Sequence, residues 1–235
     1  MTRSIFVTGA DMGLGLSLAK KFLSEGYQVF AGVFQSAAEL QALQGVGPGA
    51  LEIIPLDVTD LDSVREAARL IADKTASLDI LINNAGVIYS DNNLPLEEQD
   101  FANMHLEKTM EVNAFGPLRV TQQLLPLLEK GAQKLIINIS SEAGSIADSQ
   151  REAWFAYCMS KTALNMQSRL LQNYLGRRGY KILAIHPGWM QTSMGGPGAD
   201  VHPDETAAGI YQLAMKSWSA DDPIYMDFQG NLLPW

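Results

Sequence analysis

The chain is poor in the features that define several protein classes. One cysteine, Cys158, stands among 235 residues, so no disulfide can form within the chain and a stapled secreted domain is excluded. No apolar run reaches the roughly 18 residues that a membrane span requires. The opening MTRSIFVTGADMG carries polar residues where the apolar part of a signal peptide would develop. Positive charge is also scarce: 17 Lys and Arg face 26 Asp and Glu, a net charge of −9, so the overall field repels nucleic acid and anionic lipid. The densest basic group, Arg177, Arg178 and Lys181, reads as a helix end favoured by the helix dipole. What remains is 47% apolar and 18% charged, long enough to bury a full core. The expectation is a cytoplasmic protein of one domain, residues 1–235, directed at a small molecule, with neither nucleic acid nor membrane as partner.

Short apolar runs alternate with segments of helical period. Strands are expected at Ser4–Thr8, Gln28–Phe34, Leu51–Leu56, Ile80–Ile82, Leu135–Ile139, Lys181–Ile185 and Ile224–Met226. Helices are expected at Gly13–Glu25, Ala37–Leu43, Leu61–Lys74, Leu106–Leu128, Trp154–Leu175 and Pro203–Lys216, with Gly26, Gly131 and Gly179 as stops. Continuous apolar strands imply burial on both faces, hence a doubly wound parallel sheet between two helical layers, the Rossmann arrangement. Two loops, 87–103 and 187–202, are rich in Gly, Pro, Asn and Asp, and loops of that length beside a compact sheet usually carry function.

The first strand runs through Thr8-Gly9-Ala10-Asp11-Met12-Gly13-Leu14-Gly15 into a helix. Glycines in this turn let a pyrophosphate approach the backbone and the free N–H groups of the helix start. No Gly-Lys-Ser/Thr follows, which excludes a P-loop. A methyltransferase on a similar sheet is one competing reading of a glycine-rich first turn, but it leaves the downstream Ser, Tyr and Lys without a role.

With these residues the chain resembles the short-chain dehydrogenase/reductases, in the branch that reads Thr-Gly-x-x-x-Gly-x-Gly. The resemblance extends through Asp57-Val58 after the third strand, Asn83-Asn84-Ala85-Gly86 after the fourth and Asn113 in the long helix. It continues through Ser141 after the fifth strand, Tyr157-Cys158-Met159-Ser160-Lys161, and Pro187-Gly188 with Thr192. It implies a catalytic set of Asn113, Ser141, Tyr157 and Lys161. It also implies a nicotinamide dinucleotide held by Gly9, Asp11, Met12, Gly13, Leu14, Gly15, Phe34, Asp57, Val58, Asn84, Ala85, Gly86, Lys161, Pro187, Gly188 and Thr192; no metal site is implied. The wording of 187–197 and of Leu233-Pro234-Trp235 is similar to the C-factor/sniffer-like carbonyl reductases of that family.

Physical chemistry supports the roles. Tyr157 and Lys161 are four apart on one helix face, and a nearby ammonium is expected to move the phenol down from about 10 so that it exchanges a proton with a carbonyl or alcohol oxygen. Ser141 would hold that oxygen during hydride transfer, Lys161 would also contact the ribose, and Asn113 would carry a water linking Lys161 to solvent. The expected function is NAD(P)-dependent interconversion of a carbonyl compound and an alcohol; a weakly catalytic sensor of the same fold is the alternative.

Two departures from the family pattern remain. Ser141 and Tyr157 lie 16 positions apart, a few more than is usual, with the extra chain around Ala147–Ala153 and Arg151 as a candidate anion contact. The second strand ends Val33-Phe34-Gln35-Ser36, with neither the acid that binds a ribose 2′-OH nor the Arg that accommodates a 2′-phosphate. Asp11 would repel a phosphate, so the reading leans slightly to NAD over NADP. Trp154, Trp189 and Met194 suggest an apolar cleft. The long helices Leu106–Leu128 and Trp154–Leu175 carry more apolar positions than one sheet face needs, which points to a homodimer or homotetramer.

Overall fold

A computed structural model describes residues 2–89, 93–100 and 105–235. Its centre is a seven-stranded sheet of β1 (Ser4–Val7), β2 (Gln28–Val33), β3 (Ala50–Pro55), β4 (Ile80–Asn83), β5 (Leu135–Ile139), β6 (Lys181–His186) and β7 (Tyr225–Asp227). The order is β3-β2-β1-β4-β5-β6-β7, and every neighbouring pair is parallel. Strand order reverses between β1 and β4, which opens a crevice at their C-terminal ends, the place where open parallel sheets bind ligands.

Alternate side chains of each strand feed two cores. Ile5, Val7, Ile80, Ile82, Ile137 and Ile185 pack against α1 (Gly13–Ser24) and α7 (Pro203–Ala214) on one face. Phe6, Leu81, Ile136 and Ile182 pack on the other face against α3 (Leu61–Ala72), α5 (Gly116–Leu128) and the end of α6 (Phe155–Leu175). The expected three-layer α/β/α arrangement is present, with strand ends displaced by at most one residue.

Two helices differ from expectation. The segment expected at Ala37–Leu43 is the single turn α2 (Ala38–Gln41), and the chain beyond it reverses through Gly45 and Gly47 at φ +74° and +86°. The long helix expected over Leu106–Leu128 is α4 (His105–Met110), one π turn (Glu111–Phe115) and then α5. Pro117 explains the interruption: it has no N–H to give the Asn113 carbonyl four residues back. The Gly116 N–H reaches Glu111 O across the wider turn. Asn113 is thereby wound inward and wholly buried.

A ladder of polar side chains crosses the second core where β4, β5, α5 and α6 meet. Asn83 Nδ2 donates to Thr121 Oγ1 at 3.2 Å and to Asn138 Oδ1 at 2.8 Å, and Asn138 Nδ2 donates to Ser168 Oγ at 2.8 Å. These bonds offset much of the cost of burying the amides, while Asn83 Oδ1 is buried without a partner. Among the described residues no helix is long and apolar enough to cross a membrane.

Candidate active site

The glycine turn between β1 and α1 is shaped by the absence of side chains. Gly9 has φ +62°, and a Cβ there would stand 2.9 Å from Ala85 Cα; a Cβ on Gly15 would stand 2.0 Å from Gly9 O and 2.6 Å from Asn84 Nδ2. Asn84 Nδ2 donates to Thr8 O (2.9 Å) and Gly9 O (3.0 Å), while Thr8 Oγ1 accepts from the N–H groups of Asn84 (3.0 Å) and Ala85 (3.0 Å). The ends of β1 and β4 are thus bolted together, and α1 begins at Met12 with no side-chain cap on its N–H groups. An uncapped helix start beside a turn stripped of side chains fits a dinucleotide pyrophosphate.

Around this cradle the expected contacts divide. Met12 and Phe34 are exposed and border the crevice. Leu14 and Val58 are buried with their side chains in the two cores, so they offer only backbone. The Asp57 carboxylate is engaged locally: Oδ1 accepts from Thr59 N at 2.8 Å and Thr59 Oγ1 at 2.7 Å. Asp11 Oδ2 accepts from Gln35 N at 3.3 Å, which sets a carboxylate at the end of β2.

The segment 187–202 closes the crevice. A Cβ on Gly13 would meet Thr192 Cγ2 at 3.3 Å, and Ser193 Oγ lies 3.7 Å from Met12 Sδ. Gly188 takes φ +81°, and Pro187 O accepts from Thr206 Oγ1 at 2.8 Å. The segment is cross-braced rather than loose, by the Met190–Val201 bridge, by Val201 N to Trp189 O (3.1 Å) and by Trp189 Nε1 to Gly195 O (2.8 Å). Of the other expected functional loop, 87–103, residues 90–92 and 101–103 lie outside the described residues.

Across the crevice, Ser141 follows β5, while Tyr157 and Lys161 lie one turn apart on α6, all three buried. Lys161 Nζ is 5.6 Å from the Tyr157 ring centroid and donates to Ile139 O at 2.8 Å. The Ser141 hydroxyl favours the Tyr157 phenolate. The expected effect of the lysine on the phenol is corrected here: burial pushes Tyr157 up to about 12 against the opposing effect of Ser141. Burial also pushes Lys161 down to about 8. Both groups sit where water is excluded, and desolvation disfavours phenolate and ammonium alike. The phenol therefore keeps its proton at neutral pH.

Asn113 is engaged through its side-chain amide. Its Oδ1 accepts from Val87 N (2.8 Å), and its Nδ2 donates to Val87 O (2.9 Å) and Ser160 Oγ (3.1 Å). The amide clamps the chain after β4. A Cβ on Gly86 would lie 3.4 Å from Asn113 Oδ1 and 3.7 Å from Lys161 Nζ, so these three positions meet.

At the mouth, Arg151 is paired with Glu142 and lies 4.6 Å from the Trp154 ring centroid, which removes it as a free anion contact. Trp154 takes a left-handed backbone at φ +67° as it starts α6, is hydrogen-bonded through Nε1 to Asn93, and sets its ring edge-on to Tyr157 at 6.0 Å. Trp189 and Met194 are about half exposed. Sequence reasoning passed over Glu142, Asn165 and Tyr225. Asn165 had a signal, because it continues the four-residue spacing of Tyr157 and Lys161 on the buried face of α6.

Known proteins share this fold and sequence pattern. The sequence pattern of the short chain dehydrogenase family matches residues 3–200. C-signal of Myxococcus xanthus is 38% identical over 161 residues, covering 68% of this chain and 95% of that protein. The NADPH-bound carbonyl reductase from chicken fatty liver superposes with a TM-score of 0.89 at 34% identity, covering 100% of this chain and 99% of that one. The carbonyl reductase Sniffer of D. melanogaster has a TM-score of 0.92 at 27% identity over the whole of both chains. The cofactor named for the chicken enzyme is NADPH, so the lean toward NAD gains no support from these relatives.

Proposed function

The chain belongs to the short-chain dehydrogenase family, and from that premise we propose that it reduces carbonyl compounds to alcohols with a nicotinamide dinucleotide. The likeness to carbonyl reductases carries the direction, and Ser141, Tyr157 and Lys161, buried together across the crevice from the glycine turn, supply the proton-transfer chemistry. The glycine turn and the uncapped start of α1 would hold the pyrophosphate, with Lys161 near the ribose. The bound nicotinamide supplies the hydride. Ser141 holds the substrate oxygen by its hydroxyl, and Tyr157 gives its proton to that oxygen as negative charge builds there. Lys161, one turn along α6, favours the phenolate left behind. The aromatic mouth of Trp154 and Trp189 favours ketones or aldehydes with an apolar substituent.

Both dinucleotides are proposed to bind, with Asp11 setting the ratio through its charge at the end of β2. The test is a titration with NADH and NADPH followed by nicotinamide fluorescence, then turnover of a ketone and aldehyde panel. Asp11→Asn is expected to improve NADPH binding several-fold relative to NADH. Binding without oxidation of either dinucleotide would overturn the reductase reading. It would favour the second one, a dinucleotide-binding signalling protein, which the likeness to C-signal supports.

A homodimer is part of the proposal. Phe115, Leu118, Met166, Leu170 and Tyr174 are exposed around an apolar groove between α5 and α6, and a second copy would cover it by two-fold symmetry. Light scattering at micromolar concentration is expected to give twice the chain mass, and one chain mass refutes the dimer.

A further inference from the structure

Beneath Ser141 lies a group of residues that the reaction does not use. Ser141 stands just past β5, ahead of a single 3₁₀ turn (Glu142–Gly144), so no strand ladder holds its carbonyl. Two donors do. Gly144 N reaches Ser141 O at 3.0 Å, and the Tyr225 hydroxyl reaches it at 2.7 Å. Asn165 ties the flanking residues, with Nδ2 donating to Gly144 O at 3.1 Å and Oδ1 accepting from Ser140 Oγ at 2.6 Å.

Tyr225 is in turn held by the end of the chain. Its ring, 2% exposed, stacks on Trp235 with centroids 5.0 Å apart, and Leu233 N donates to Tyr225 O at 3.2 Å. Trp235 O accepts from Ala147 N at 2.8 Å, and the Arg169 guanidinium lies 5.2 Å from the Trp235 ring centroid. Trp235 therefore touches both the tyrosine that supports Ser141 and the longer segment between Ser141 and Tyr157.

We propose that Tyr225 and Trp235 are positioning residues, which fix the backbone of Ser141 and through it the place of the hydroxyl that aligns the substrate oxygen. A hydroxyl that must meet a reacting oxygen within a fraction of an ångström needs a fixed backbone. The Tyr225 hydroxyl supplies such a hold from β7, and the Trp235 indole stacks on its ring. The proposal rests on reading Ser141 as the residue that holds the oxygen.

The experiment compares wild type with Tyr225→Phe, Trp235→Ala and Trp235→Phe in three measurements: amide exchange over residues 141–148, dinucleotide affinity by fluorescence, and kcat and KM for a reduced carbonyl. Tyr225→Phe removes one buried hydrogen bond and keeps the ring. It is expected to speed exchange over 141–148 and lower kcat about fivefold, with KM and dinucleotide affinity within about twofold. Trp235→Ala should do the same and Trp235→Phe should restore most of the loss. Unchanged exchange in Tyr225→Phe and Trp235→Ala overturns the proposal even if wild type proves inactive, when the reductase reading fails separately. Faster exchange with unchanged kcat, or a kcat loss matched by an equal loss of dinucleotide affinity, reduces both residues to general support and also overturns it.

Discussion

The two sides of the crevice are built by opposite means. On the β1 side the surface is made by leaving side chains out: Gly9 and Gly15 sit where a methyl group would strike Ala85, Gly9 O or Asn84. On the β5 side it is made by filling the space with hydrogen-bonded side chains, from Asn83 and Asn138 to Asn165, Tyr157 and Lys161. A large anionic ligand needs backbone N–H groups within reach, and any Cβ stands in the way. Proton transfer needs groups whose orientation and charge state are fixed, and burial among partners provides that. Tolerance to substitution should differ accordingly between the two sides.

The largest expected effect separates them most directly. Tyr157→Phe should lower kcat about a thousandfold while leaving dinucleotide affinity unchanged. Steady-state kinetics beside a fluorescence titration would show it, and a parallel fall in affinity would break the division. Gly15→Ala should do the converse, weakening dinucleotide binding about a hundredfold as the added methyl group forces Asn84 and the turn apart. Wild-type affinity in that variant would mean that the cradle does not depend on empty space.

The third effect is smaller and concerns stability. Lys161 is pushed down from 10.5 to about 8 by burial, so between those values the unfolded chain binds more protons than the folded one, and stability rises with pH. The cost of burying the ammonium is fully present below about pH 8 and disappears toward pH 10.5. Lys161→Met should therefore raise Tm by a few degrees at pH 7, with the gain shrinking across that window in a pH series of thermal melts. A gain independent of pH would show that the methionine merely packs better. Lost turnover alongside a higher Tm would mark the lysine as kept for its chemistry.

Much of this was legible in the sequence because it is local. Strands buried on both faces read as unbroken apolar runs, and the glycine turn announces itself by spacing. The long helix was legible in extent but its π turn was overlooked, although Pro117, four residues after Asn113, carried the physical reason. The charge state of Tyr157 was not legible at all. Spacing puts Lys161 on the same face, yet the phenol responds to how much water reaches it, and that depends on every element packed around α6. The support of Ser141 by Tyr225 was hidden for a similar reason, since 84 positions separate the two residues.

The chain's final turn back over the sheet has a further consequence. β7 is the last strand and only three residues long. Leu232 makes an antiparallel bridge to Met226, and Asp227 N donates to Asn231 O at 2.9 Å. Backbone groups along that margin would otherwise lie open to any passing extended chain. Residues 231–233 occupy part of that margin, which leaves less of it for another molecule to extend and guards the protein there against growth into aggregates.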